Sequence, residues 1–401
     1  MGFFILLLIL IGISLLIIEI ISRRLQWVNA GLLRALLAYH WLFAVIYYWY
    51  VQSAASDSVA YYNRTLETYY YWKDAYGTGT PFIDFLSYPF IHFLGFTYEM
   101  MMLLFAWFGY WGFVCFYIIF KEHTRFKHTL KGINIISLFM FLPNMHYWTA
   151  SLGKGSIIFF GLGLTMYGLS KLKTRKLAML IGLLIVYHVR PHIFFVMAVA
   201  ILTGLVTARE KIPLFQKLVL LAGVTAAILI LYDNVMAFAS LDSEDLFGSF
   251  DELASHRSVE LAKAGSGIDV SGYPFPLRLF TFWYRPLFFD APGPMGIIVS
   301  FENLLYLFMT AKLFNIHFIN FFRASMVMVK SGMVAFLATS LALSGTLSNL
   351  GIIIRQKSMV MYFLLLVILA FLDYLKARES KQLPAVAPKT NTHGRHIYDL
   401  P

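Results

Sequence analysis

The residues of this sequence with chemistry to offer are one carboxylate among tyrosines and several cations. Asp57 lies in Ser56-Asp57-Ser58-Val59-Ala60-Tyr61-Tyr62, just beyond an apolar run. A carboxylate there can take a proton from a sugar hydroxyl or hold a divalent cation. Tyr61 and Tyr62 offer flat apolar faces and hydroxyls for a sugar ring. The plainer alternative is a helix cap with an interfacial aromatic belt. Lys154 precedes Gly155 and Ser156 at an expected helix start, where free backbone amides favour an anion such as phosphate. A lysine reaching to the membrane interface is the competing account. Arg190 stands between two apolar runs, and its planar fork suits a phosphate or pyrophosphate. His188 and His192 flank it and could be zinc ligands, but two histidines without a third ligand are weak evidence for a metal. Arg278, Arg285, Arg355 and Lys357 extend the set of cations. Their alternatives are an anionic lipid substrate or pairing with outer carboxylates such as Glu302.

These side chains must be positioned by helices in a membrane. The 401 residues are 59% hydrophobic and 13% charged, against roughly 25% charged in soluble domains. That excludes a water-soluble enzyme and a disordered chain. The apolar residues come in blocks near the ~20 needed to cross a bilayer, without the period-two alternation of an outer-membrane barrel. An all-α polytopic protein with about eleven transmembrane helices is expected. The spans fall at 2–20, 32–51, 98–120, 133–148, 156–169, 177–189, 193–207, 218–238, 297–310, 333–350 and 360–375.

Charge sets the orientation. The net charge of +11 is carried by short basic clusters between spans, which stay in the cytoplasm and give no reason to invoke nucleic acid. The alternating pattern predicts the N-terminus outside and the C-terminus inside. Residues 1–381 then form one transmembrane domain with long outer loops at 52–97 and 239–295, and 382–401 a disordered cytoplasmic tail. Within the loops, 81–96 is expected as an interfacial or re-entrant helix broken at Pro89, and 243–264 as a polar helix. Cys115 is the single cysteine and excludes an intramolecular disulfide. The sequence carries no Walker lysine loop, dinucleotide-binding glycine fingerprint, Gly-x-Ser-x-Gly elbow or His-Glu-x-x-His. This argues against a primary pump, a redox enzyme and the common hydrolases.

Taken together, these stretches resemble the multispanning proteins of bacterial surface-polysaccharide clusters, the Wzy-like and EpsG-like polymerases, and more distantly the C-type glycosyltransferases. The resemblance rests on Asp57 to Tyr62, on residues 143–156 with Trp148 and Lys154, and on Arg190-Pro191-His192. It also rests on Tyr284-Arg285-Pro286-Leu287 followed by Glu302, and on residues 349–357 with Arg355 and Lys357. It implies a polyprenyl-phosphate or -pyrophosphate sugar donor used at the outer face of a bacterial cytoplasmic (inner) membrane. Asp57 would then be the acid/base or cation-holding carboxylate, leaving a divalent cation as an open cofactor. Lys154, Arg190, Arg285 and Arg355 would hold the phosphates. Tyr61, Tyr62, Trp148, His192, Glu302 and Lys357 complete the expected substrate contacts. Gly155 departs from the pattern, which expects an acidic residue after the lysine; Asp84 and Asp290 are candidates for a second acidic site. The alternatives are a transporter or flippase of the same lipid-linked saccharide, and a non-catalytic assembly partner.

Overall fold

A computed structural model describes residues 1–54, 56–208, 213–239, 273–346 and 349–382. The expected polar helix at 243–264 and nearly all of the expected tail at 382–401 lie outside these residues.

The described chain is almost wholly helical. In order it forms α1 (Gly2–Arg24), α2 (Ala30–Val51), α3 (Asp57–Thr68), α4 (Thr80–Tyr88) and α5 (Tyr98–Glu122). A two-stranded hairpin follows, β1 (Thr129–Leu130) with β2 (Ile133–Asn134). Then come α6 (Ile135–Met140), α7 (Pro143–Thr149), α8 (Lys154–Ser170), α9 (Leu172–Val189), α10 (Pro191–Thr207) and α11 (Leu214–Ala239). The last five are α12 (Phe275–Tyr284), α13 (Gly293–Ala311), α14 (Phe318–Ala324), α15 (Val327–Thr346) and α16 (Leu350–Gln382).

Among the described residues, seven helices are long and apolar enough to cross a membrane: Gly2–Arg24, Ala30–Val51, Tyr98–Glu122, Leu214–Asp233, Gly293–Ala311, Val327–Ser344 and Met359–Ser380. This is a helical, multi-pass membrane protein. The other four expected spans differ in kind. The stretch 133–148 is not one helix, because Pro143 lacks an N–H and its ring pushes the preceding residue out of helical geometry. Leu142 accordingly sits at φ −68° and ψ 117°, leaving α6 and α7 with six and seven residues. The stretches 156–169 and 193–207 form helices of 17 residues each, α8 and α10. The stretch 177–189 belongs to α9, whose first turns carry Lys173, Arg175 and Lys176 and bend at Arg175. The loop 52–97 is folded too. It holds α3, α4 and a wide helical turn at Pro89–Phe93, all too short to span.

The chain divides into two compact units, 1–119 with 137–194 and 120–136 with 195–401. In the first, α1 and α5 run in the same direction and α2 runs against them. Arg34 of α2 pairs with Glu19 near the end of α1 at 3.3 Å. Trp107 Nε1 donates to Ser14 Oγ at 2.8 Å, joining α5 to α1. Tyr110 Oη donates to Leu33 O at 3.1 Å, and at the other end of α2 Tyr48 Oη donates to Glu99 Oε1 at 3.2 Å. The span in α5 is 83% buried and that in α1 only 17%, so α5 is the centre of this unit and α1 its edge.

In the second unit the buried face of α16 presents Val367, Phe371 and Tyr374 to Phe321 of α14 and Val329 of α15. Asp373 on the same helix is fully buried and accepts the backbone N–H groups of Arg125 and Phe126, both at 2.9 Å. A buried carboxylate satisfied this way fixes the start of the β-hairpin at little desolvation cost. Lys330, also buried, donates to Thr207 O at 2.6 Å and Arg323 O at 3.1 Å.

Candidate functional site

Asp57 is the first residue of α3, and the cap is its neighbour. Ser56, in extended geometry, accepts the Ser58 N–H at 3.2 Å through its side chain. Asp57 is exposed in the first turn, where a carboxylate meets the positive end of the helix dipole. The buried positions of α3 are Ser58, Tyr61 and Thr65, one face at helical spacing. Polar links fix this face: Tyr47 Oη and Ser56 Oγ are 3.0 Å apart, Ser58 Oγ and Tyr98 Oη 2.7 Å, and Tyr62 Oη donates to Phe96 O at 3.1 Å. Burial and the nearby Glu99 carboxylate push the Tyr62 phenol above its ordinary value, so it acts as a neutral hydroxyl.

The start of α8 meets this helix. Gly153 caps α8 at φ +150°, and a Cβ there would come 3.0 Å from the Tyr61 ring. Only glycine accepts both conditions. Trp148 closes the other side: its carbonyl oxygen would lie 2.2 Å from a Cβ on Gly155. Its ring is part of a cluster with Tyr147 and Tyr47, at centroid distances of 5.1 and 6.4 Å. The short α7 that carries Trp148 is held by a buried histidine pair. His146 Nε2–H donates to Met140 O at 2.7 Å, and its Nδ1 is 2.8 Å from His40 Nδ1 of α2.

Helices α8 and α9 form a tight antiparallel hairpin. A Cβ on Gly168 would fall 2.3 Å from the Met179 nitrogen, and one on Gly182 would fall 2.5 Å from the Thr165 nitrogen. This register sets Val189, the last residue of α9, opposite Ile158, so Arg190 follows α9 at the end where Lys154 begins α8. Arg190 follows the last turn of α9, and its carbonyl accepts the Ile193 and Phe194 N–H groups at 3.0 and 3.1 Å. His188 is taken up by the loop before α4: its carbonyl accepts the Gly79 N–H at 2.6 Å and its Nε2 lies 3.0 Å from Tyr76 Oη. Asp57, Tyr61, Trp148, Lys154, Arg190 and His192 thus gather at one end of the first unit's helices.

Asp84 is excluded from that chemistry by its partners. It is fully buried, and its oxygens accept from Arg64 Nε at 2.6 Å, Arg64 Nη2 at 2.8 Å, Tyr69 Oη at 3.0 Å and Thr65 Oγ1 at 3.3 Å. The hydrogen bond to Asp84 raises the Arg64 pKa above its ordinary value. This cluster ties α3 to α4. Sequence reasoning missed its arginine: Arg64 looks like one more surface charge until Asp84 is brought beside it.

Arg285, Glu302, Arg355 and Lys357 belong to the second unit. Here Lys357 is fully buried. Its ammonium donates to Asn303 Oδ1 at 2.5 Å, to Arg285 O at 2.8 Å and to Trp283 O at 3.5 Å. Asn303, not singled out from the sequence, also donates to Pro286 O at 2.7 Å. Arg285 Nε donates to Asp290 Oδ2, and Asp290 Oδ1 accepts the Leu287 N–H at 2.5 Å. Burial lowers the Arg285 pKa, but bonds to Tyr273 and Asp290 outweigh it and leave the value raised. Buried Glu302 accepts from Tyr306 Oη at 3.2 Å. Arg285, Lys357 and Asn303 therefore brace the 283–290 turn. Arg355 is two residues from Lys357, about 200° around α16 at ~100° per residue, and faces away from that brace. It lies within a helix because Asn349 starts α16 ahead of 360 by accepting the Ile352 N–H at 3.2 Å.

Among the described residues no three His, Cys, Asp or Glu side chains converge as metal ligands. No family model, curated protein or solved structure matches this chain.

Proposed function

We propose that the chain is a membrane glycosyltransferase or polysaccharide polymerase using a polyprenyl-(pyro)phosphate-linked sugar at the outer face of a bacterial cytoplasmic membrane. In this reading it crosses the membrane about eleven times, with the broken α6–α7 passage and the short helices α8 to α10 included, the N-terminus outside and the C-terminus inside. The observation that carries the proposal is the α8–α9 hairpin, with Lys154 starting α8 and Arg190 following α9 at the end where Tyr61 of α3 meets Gly153. One exposed carboxylate and two cations at a helix junction can serve both halves of a glycosyl transfer.

Asp57 takes the proton of the acceptor hydroxyl as its oxygen bonds to the sugar's anomeric carbon. The bond from that carbon to the phosphate oxygen breaks, and its electron pair leaves with the phosphate. Lys154 and Arg190 stabilise that charge, the arginine by two parallel donors. Tyr61, Tyr62 and Trp148 supply the faces and hydroxyls that hold the ring. In the second unit, Arg355 is an anion contact of its own, while Arg285, Asn303 and Lys357 shape the turn around Pro286.

The test is paired. Transfer of labelled sugar from a polyprenyl-pyrophosphate donor, and binding of that donor, are measured on purified parent and Asp57→Asn protein. Transfer should fall by roughly 10²–10⁴-fold with binding nearly unchanged. Transfer at the parent rate removes Asp57 from the mechanism. Lipid movement across the bilayer by a parent that transfers nothing would replace this reading with a transporter.

A further inference from the structure

A cavity of about 500 Å³ lies between α1, α2 and α5, with walls that include Phe3, Leu7, Trp41, Val45 and Met102. That is within the roughly 300–1,000 Å³ of ordinary ligand pockets. Its lining is almost entirely apolar, and its three helices are all membrane-crossing. It therefore opens where hydrocarbon chains are the solvent. From Trp41 to Tyr48 it follows α2 for about 10 Å, at ~1.5 Å per residue.

One end is different. Tyr48 and Glu99 line it there, where α2 ends and α5 begins. The Glu99 carboxylate accepts from Tyr48 Oη at 3.2 Å and Thr97 Oγ1 at 2.7 Å. Among the described residues no cationic side chain pairs with it, although Arg23, Arg34, Arg64 and Arg285 all find carboxylates. A half-buried carboxylate at the rim of a membrane groove is costly unless a cation completes it.

We propose that this groove holds one hydrocarbon chain of a bilayer phospholipid whose headgroup bears a primary ammonium, with that ammonium on Glu99. The apolar walls select the chain. The carboxylate repels an anionic headgroup, and a primary ammonium donates the charge-assisted hydrogen bond that a quaternary one cannot. The site is independent of whether the chain transfers a sugar, since it uses none of the residues assigned to that reaction.

The experiment compares dioleoyl phosphatidylethanolamine with dioleoyl phosphatidylcholine, which share their chains, by native mass spectrometry of the purified full-length protein. The parent should retain the ethanolamine lipid about threefold to fivefold over the choline lipid, the range of a partly exposed ion pair. Glu99→Gln should bring that ratio close to unity, and Val45→Trp, a bulky change at an exposed position of the wall, should reduce retention of both lipids. A second readout needs only one conservative groove variant, Trp41→Phe. Trp41 emission, taken as the difference between parent and Trp41→Phe, should be quenched more by brominated-chain ethanolamine lipid than by its choline counterpart. Equal retention by the parent, a preference that survives Glu99→Gln, or a groove covered by a second copy of the chain in a lipid-free dimer overturns the proposal.

Discussion

Asp84 and Asp57 show how two carboxylates of one loop come to different surroundings. Asp84 is locked by Arg64, Thr65 and Tyr69 in the interior; Asp57 stands exposed at the head of α3. Arg64→Met should therefore lower stability by about 2–4 kcal/mol, somewhat less than the roughly 3–5 kcal/mol of a fully buried pair, because Arg64 is partly exposed and Thr65 and Tyr69 stay in place. Thermal unfolding in detergent measures it, and an unchanged midpoint would show that the pair contributes nothing. Arg190→Ala belongs to the other class. It should weaken donor binding by about 2–5 kcal/mol, the cost of removing one cation from a partly desolvated phosphate site, with folded yield near the parent's. Binding at the parent's affinity would reduce Arg190 to a structural cation. Residue type alone made Asp57, Lys154 and Arg190 candidates, because charges beside apolar runs are conspicuous in sequence. The partners of Asp84 and Lys357 were not legible. Arg64 and Asn303 are ordinary residues on helix faces, and only tertiary packing turns them towards their partners.

At the scale of elements, the α8–α9 hairpin is what puts Lys154 and Arg190 at one end of the first unit. Gly182→Leu should force the helices apart, costing about 1–3 kcal/mol and weakening donor binding although no phosphate contact is touched. Gly12→Leu is the control, since a Cβ on Gly12 meets nothing within 4 Å. Equal effects on melting and binding from both variants would sink the positioning argument. The long apolar runs of α1, α2, α5, α13 and α15 could be read directly, since burial in lipid leaves its mark on composition. The stretch 133–148 could not, because hydropathy averages over Pro143 while the backbone breaks there. The start of α16 was hidden for the opposite reason: Asn349 caps a helix whose apolar first turn is followed by Arg355, Gln356 and Lys357, which lower a hydropathy window. The fold of 52–97 was only half visible, as α3 and α4 are stabilised by each other through Asp84.

For the whole molecule, the proposed orientation is open to direct labelling. With Cys115 replaced by alanine, Asp74→Cys should react with an impermeant thiol reagent on intact cells, and Glu379→Cys only after the cells are opened. The reverse pattern would invert the topology and put Asp57 on the side opposite to the lipid-linked donor. The peripheral seat of α1 bears on how the protein is made. Translation delivers α1 and α2 before α5, and Glu19 with Arg34 can join them at once. The Ser14 hydroxyl waits for Trp107, 93 residues downstream, to leave the ribosome. Until α5 enters the bilayer, the first two helices diffuse as a loosely tied pair and the groove between them lacks its third wall. A nascent chain stopped before Tyr98 would be an open hairpin in the insertion machinery, so the birth of the groove is timed by the synthesis of α5.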